Sequence, residues 1–176
     1  MQNRLVISAL GQDRPGIVNE LSKIIFDAGC NILDSHMSVM GGEFTIMLMA
    51  EGNWNNLAKL ETALDTLGKK LDLIVNTKRT GDRATKDNVL PYAVEVVAVD
   101  HPGIVSQLTG FFSQHGINIE ELRTDCYAAP HTGTPMFTIN MVIAIQANIH
   151  ISTMREQFMN FCDEFNLDAI MEPIKA

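Results

Sequence analysis

The sequence carries one short acidic motif twice, and its residue types suit the binding of a small charged molecule. The motif is DRPGIV at residues 13–18 and DHPGIV at residues 100–105. In each copy an alternating run typical of a β-strand precedes the motif, and an apolar period typical of a helix follows it. The motif is therefore predicted to form an elbow between a strand and a helix, where glycine allows close approach to the backbone.

The chemistry available at such an elbow is that of a helix N-terminus beside a carboxylate. Pro15 and Pro102 are expected in the first helical turn, where a missing N–H costs nothing. The remaining N–H groups favour an anion such as a carboxylate. Asp13 could meet an ammonium group, which would suit a zwitterionic amino acid, or it could cap the same N–H groups with no ligand required. The residues of the elbow leave both alternatives open.

The repeated elbow belongs to a longer repeat with the order strand, helix, strand, strand, helix, strand. The apolar stripes of the helices start at Ile17 and Leu57 in the first copy and at Ile104 and Ile151 in the second. Residues 125–135 hold an insertion rich in turn formers, which predicts an enlarged loop. The predicted strands are 4–10, 31–39, 43–50 and 71–79, then 92–99, 118–126, 136–146 and 167–174.

This order predicts an α+β protein built from two ferredoxin-like βαββαβ units, each an antiparallel four-stranded sheet with both helices on one face. Gly29 and Gly116 are expected to end the first helix of each unit. The predicted domains are 1–80 and 91–176, joined by a linker at 81–90. Because small units bury limited surface and expose sheet edges, we expect the two to pack as a pseudo-dimer.

Composition argues against several classes of function. A net charge of −8 disfavours direct nucleic-acid binding. Three cysteines without a CxxC pair predict free thiols and a cytoplasmic location, with no metal site or cofactor. No motif of a hydrolase or nucleotide-binding enzyme is present, and a small hydrolase would depend on Arg14. The four methionines of 36–49 are interpreted as core residues or as an adaptable surface for a partner.

Taken together, the stretches "DRPGIV…GCNI" and "DHPGIV…GINI" resemble the ACT domain, a regulatory module that typically binds amino acids. The resemblance implies that the units pair, and that a ligand lies between the elbow of one unit and the strand after the first helix of another. It implies that the backbone N–H groups of Ile17 and Ile104 hold the ligand's carboxylate. The implied binding residues are Asp13, Gly16, Ile17, Asn31, Asp100, Gly103, Ile104 and Asn118.

Two ACT units in a short chain without a catalytic domain resemble non-enzymatic ACT regulators of bacterial glycine metabolism. The resemblance implies a protein that senses an amino acid, with glycine expected, and that represses the glycine cleavage operon indirectly by binding a DNA-binding activator. It is compatible with a homo-oligomer. No membrane contact is expected, because no apolar run approaches the ~20 residues that a membrane span needs. The alternative is a free-standing ACT regulatory subunit that controls an amino-acid biosynthetic enzyme.

Overall fold

The computed structural model describes residues 3–81 and 88–174, which fall into two units, Met1–Ala84 and Thr85–Ala176. The first unit contains β1 (Asn3–Gln12), α1 (Ile17–Asp27), β2 (Asn31–Met40), β3 (Glu43–Gly52), α2 (Trp54–Leu71) and β4 (Ile74–Thr80). The second contains β5 (Val89–Val99), α3 (Ile104–Gln114), β6 (Asn118–Ala128), β7 (Pro135–Gln146), α4 (Ile151–Glu164) and β8 (Asp168–Pro173). The predicted βαββαβ order is confirmed in both units.

The two sheets have the same topology. The strand order is β2-β3-β1-β4 in the first sheet and β6-β7-β5-β8 in the second, and every pair of neighbouring strands is antiparallel. Each sheet also carries one register shift at its edge strand, beside Leu33 in β2 and beside Glu120 in β6. The four-stranded antiparallel sheets of the prediction are therefore confirmed, and β2, β4, β6 and β8 are their edges.

Each unit has its own core on the helix-covered face of its sheet. In β1 the alternating residues Leu5, Ile7 and Ala9 are buried, because a strand points every second side chain to the same face. Burying each large aliphatic side chain is worth roughly 1.5–3 kcal/mol. The second core is richer in aromatic residues, with Phe112 and Phe158 fully buried and their rings packed at 5.3 Å.

The helices of the described residues end in the same way. The chain turns into the left-handed conformation at Gly29, Asp72, Gly116 and Asn166. The next residue then donates its N–H to the carbonyl five positions back, as Cys30 does to Ile25 at 3.0 Å. The predicted ends at Gly29 and Gly116 are confirmed.

Two predicted boundaries are wrong. Because α2 continues through Leu71 and turns at Asp72, β4 begins at Ile74 and not at 71. The enlarged loop of the second unit is shorter than 125–135, since residues 125–128 continue β6 and the connection is 129–134.

The linker and the packing of the two units stay predictions. Residues 82–87 of the predicted linker 81–90 lie outside the described residues, and β5 begins at Val89, inside the range assigned to the linker.

Candidate functional site

Both elbows have the same unusual backbone. Gly16 has φ 98° and Gly103 has φ 102°, and each is the N-cap of the helix that follows. This left-handed conformation is the reason for a glycine, since a Cβ at either position would contact nothing within 4 Å. Pro15 and Pro102 therefore precede the N-cap, and their predicted place in the first helical turn is wrong.

The helix N-termini of the two elbows carry no side-chain cap. In the described parts of the chain, no side chain caps α1 or α3, and no carbonyl accepts from the N–H groups of Ile17 or Ile104. The carboxylates of Asp13 and Asp100 are exposed and do not cap these donors. Each elbow thus combines an uncapped helix N-terminus with an exposed carboxylate, while Ile17 and Ile104 themselves are only 2% exposed. An uncapped helix N-terminus and a carboxylate are the chemistry required by a zwitterion.

The strand hairpin of each unit holds its elbow in place. The backbone N–H of Asp13 donates to the carbonyl of Gly42 at 3.1 Å, in the β2–β3 turn. In the second unit the N–H of Asp100 donates to the carbonyl of Pro135 at 2.9 Å, at the start of β7. These equivalent hydrogen bonds place both elbows at the hairpin end of their sheets.

The first elbow is also tied to α2. The Arg14 guanidinium donates to the carbonyl of Leu71 at 2.5 Å, at the negative end of the helix dipole. A Cβ at Gly11 would lie 2.6 Å from Leu73, so the turn after α2 packs closely on the strand before the elbow. In the second elbow His101 is placed only beside the carbonyl of its neighbour Pro102, at 3.2 Å. The sequence shows that Arg14 and His101 differ but does not show this contact, because Arg14 and Leu71 are 57 residues apart and meet only through the packing of α2 on the elbow.

The two predicted asparagines lie at the other end of each sheet. Asn31 starts β2 and pairs with Glu51, whereas the elbow lies at the Gly42 end of the same ten-residue strand, about 30 Å away. In the second unit Asn118 likewise starts β6 and donates to Glu120 at 2.6 Å. Within one unit, the structure does not bring either asparagine to the elbow.

Asn31 instead lines a cavity of about 630 Å³, together with Phe26, Cys30 and Gly52. Burial raises the pKa of the Cys30 thiol, which keeps it neutral. In the second unit the residues equivalent to Cys30 and Gly52 are Ile117 and Ile145, both buried. The cavity is therefore a feature of the first unit.

Over 3–81 and 88–174, no three His, Cys, Asp or Glu side chains gather in a way that could hold a metal ion. Within the same ranges, none of the helices combines the length and apolar character needed to cross a membrane.

Comparisons with known proteins give the class to which this fold and its elbows belong. The ACT domain model matches residues 3–78, and a second ACT domain model matches residues 92–126. The chain belongs to the ACT-domain family, with two ACT units in tandem.

Individual relatives match nearly the whole chain. The chain is 33% identical over 165 residues to the glycine cleavage system transcriptional repressor of Escherichia coli (strain K12), covering 94% of this chain and 87% of that protein. A crystal structure provisionally described as a glycine cleavage system transcriptional repressor matches with a TM-score of 0.75 at 30% identity, over 100% of this chain and 99% of that one. A protein of unknown function from Galdieria sulphuraria matches with a TM-score of 0.80 at 25% identity, over 99% and 100%. The resemblance stated from the sequence is confirmed over nearly the whole chain.

Proposed function

We propose that the protein is a cytoplasmic, non-enzymatic regulator that senses an amino acid, with glycine as the expected ligand. It represses the glycine cleavage operon indirectly, by binding a DNA-binding activator. The observation that carries the proposal is the repeated elbow, in which unengaged helix N–H groups stand beside an unpaired carboxylate. The names of the bacterial relatives support the regulatory role and the link to glycine.

In this proposal the elbow recognises both charges of the ligand. The N–H groups of Ile17 and Ile104 donate to its carboxylate, with Gly16 and Gly103 leaving the approach clear. Asp13 and Asp100 accept from its ammonium group. Hydrogen bonds to charged groups contribute about 1.5–3 kcal/mol each, so a few of them suffice for a small ligand.

The asparagine of the site comes from another ACT unit. The edge strand β2 is exposed on both faces. Met37 and Val39 lie on the face that the helices cover elsewhere in the sheet, yet they are 54% and 50% exposed. If two such edges pair in antiparallel fashion, the start of one strand lies beside the end of the other. Asn31 or Asn118 would then approach the elbow of the neighbouring unit, although each lies at the far end of the sheet from the elbow of its own unit.

The partner surface of the proposal involves the methionine-rich hairpin of the first unit. Met37, Met40 and Met47 are 54%, 68% and 57% exposed, so the interpretation of these three as core residues is wrong. Flexible thioether side chains fit partners of varied shape. The net charge of −8 favours a protein partner over the DNA itself. Glycine regulates this complex only if it binds the free and partner-bound forms with different affinity.

Calorimetric titration of the purified protein with glycine, serine and alanine tests the sensing step. We expect binding of at least one of them. The double change Asp13→Asn and Asp100→Asn removes both elbow carboxylates and should weaken binding at the elbows at least tenfold. Asp65→Asn, an exposed carboxylate on α2, is the matched control and leaves the affinity unchanged. Absence of binding by all three amino acids, with or without the partner, would reject the sensing role.

Affinity capture from cells of the source organism, followed by identification of the bound protein, tests the partner. The proposal predicts a DNA-binding transcriptional activator, and less of it when glycine is added. Capture of an amino-acid biosynthetic enzyme in its place would support the alternative of a free-standing regulatory subunit.

A further inference from the structure

The face of the second sheet that the helices leave uncovered carries a row of polar side chains. Asn140 of β7 pairs directly with Glu95 of β5 on one side and with Arg123 of β6 on the other. The three side chains line a shallow cavity of about 290 Å³, together with Glu121. The row therefore places a cation and an anion on opposite sides of one amide.

The opposite charges of this row do not neutralise each other. Among the residues that the structure describes, the Arg123 guanidinium forms no ion pair, with either Glu95 or Glu121. Glu95 and Arg123 are two strand spacings apart, about 9–10 Å between their backbones. The side chains are exposed and stand on either side of Asn140, so the space between them is accessible from solvent.

We propose that this row binds a small zwitterionic α-amino acid. Arg123 donates to its carboxylate, Glu95 accepts from its ammonium group, and the Asn140 amide between them can donate to one and accept from the other. Carboxylate and ammonium of an α-amino acid lie about 3 Å apart. With a hydrogen bond of about 2.8 Å on either side, the guanidinium and the carboxylate must stand about 8–9 Å apart. Side chains that start from backbones about 9–10 Å apart can adopt this separation.

The neighbouring row limits the size of the ligand. Val142 pairs with Ala93 on one side and with the acidic Glu121 on the other, next to the row of Glu95 and Asn140, and all three line the cavity. Ala93 and Val142 form a small apolar surface that suits the hydrogen of glycine or the short side chain of alanine. A charged or long ligand side chain would find no favourable contact on this small apolar surface.

The first unit lacks the same arrangement, although it has the same fold. Its equivalent row is Ser8, Met47 and His36, in which Met47 pairs with both neighbours. His36 lies 3.9 Å from Asp34 on its own strand. Because this row has no opposite charges across a central amide, the site exists once per chain and is separate from the two elbows. It does not depend on the elbow sites.

Glycine binding to the full chain tests the site in a variant that already carries Asp13→Asn and Asp100→Asn. In that background we expect calorimetry to show one glycine per chain. Adding Arg123→Gln or Glu95→Gln should weaken this binding at least tenfold, the loss of one hydrogen bond to a charged group. Arg155→Gln, which removes an exposed arginine of α4, is the control and should change the affinity less than twofold.

The affinities for two fragments of glycine give a second measurement. Acetate has only the carboxylate and methylamine only the ammonium group, so each should bind at least tenfold more weakly than glycine. The inference is overturned if the elbow variant binds no glycine, or if Arg123→Gln leaves its glycine binding unchanged. Loss of binding through the elbow changes alone would overturn this site and support the elbow sites. Loss of glycine binding through Arg123→Gln alone would support this site and contradict the elbow sites.

Discussion

Arg14 and His101 occupy the same position in the two elbows, yet their surroundings differ. Arg14 holds the C-terminal carbonyl of α2, whereas His101 contacts only an adjacent carbonyl. We expect Arg14→Gln to lower the free energy of unfolding of the first unit by about 1 kcal/mol, because it removes a hydrogen bond from a charged donor in an exposed setting. Urea unfolding measures the change, and His101→Gln, the matched control, should leave the second unit within about 0.5 kcal/mol of its original stability. Equal effects of the two changes would contradict the role given to Arg14.

Cys162 gives a prediction about pH. Desolvation in the second core, with a smaller effect of the Asp163 charge, raises the pKa of its thiol to about 12 from an ordinary 9.0. Between these values the unfolded chain releases a proton that the folded chain keeps, so the free energy of unfolding falls as pH rises from 9 towards 12. Below pH 9 both states keep the proton and this contribution is complete.

Urea unfolding between pH 8 and pH 11 measures the effect of Cys162. We expect Cys162→Ala to be less stable at every pH because of the cavity, but to lose stability less steeply above pH 9 than the original protein. Cys126→Ala, at an exposed cysteine of β6, should keep the original slope. A Cys162→Ala variant with the original slope would show that this thiol does not titrate as described.

At the scale of single elements, the N-cap and the interior of α3 each have a glycine, and the two glycines have opposite requirements. Gly103 is left-handed at the N-cap, whereas Gly110 lies within the helix, and a Cβ would contact nothing within 4 Å at either position. Gly103→Ala should therefore destabilise the second unit by about 1–2 kcal/mol, and Gly110→Ala should stabilise it by about 0.5–1 kcal/mol. Thermal unfolding of the two variants checks the signs. A Gly103→Ala change that does not destabilise would contradict the left-handed N-cap, and a destabilising Gly110→Ala change would contradict the open space at that helical position.

The elements show what local patterns could and could not predict. The strand periods, the helix stripes and the ends at Gly29 and Gly116 depend on neighbouring residues, and they were predicted correctly. The end of α2 was not, because Asp72 adopts the left-handed conformation that glycine usually marks. The elbow motif predicted that a helix follows it, but it wrongly predicted Pro15 and Pro102 in the first turn. It also did not predict the contact of Arg14 with Leu71, since these residues meet only through the packing of α2 on the elbow.

At the scale of the whole molecule, the internal repeat explains most of what the sequence could show. Matching the two copies predicted two similar units and two similar elbows. The same match does not show that Asn31 and the elbow lie at opposite ends of one sheet, because this follows from the length of β2 and its register. The charged row of Glu95, Asn140 and Arg123 could have been found by asking where the two copies differ in charge on equivalent strands.

The duplication gives the chain two units of the same fold whose surfaces differ. The elbows are alike in both units, whereas the exposed methionines mark the first unit and the charged row marks the second. We propose that ligand binding and partner binding are divided in this way, with glycine shifting the balance between a free and a partner-bound form. Coupling of this kind typically changes an affinity by 5–150-fold.

The most direct test of this proposal is the affinity of the protein for the captured DNA-binding activator, measured with and without glycine. We predict at least fivefold weaker binding in saturating glycine. We also predict that the variant with Asp13→Asn and Asp100→Asn binds the activator equally well under both conditions, whereas Asp65→Asn behaves like the original protein. An affinity for the activator that glycine leaves unchanged in the original protein would contradict the proposed function.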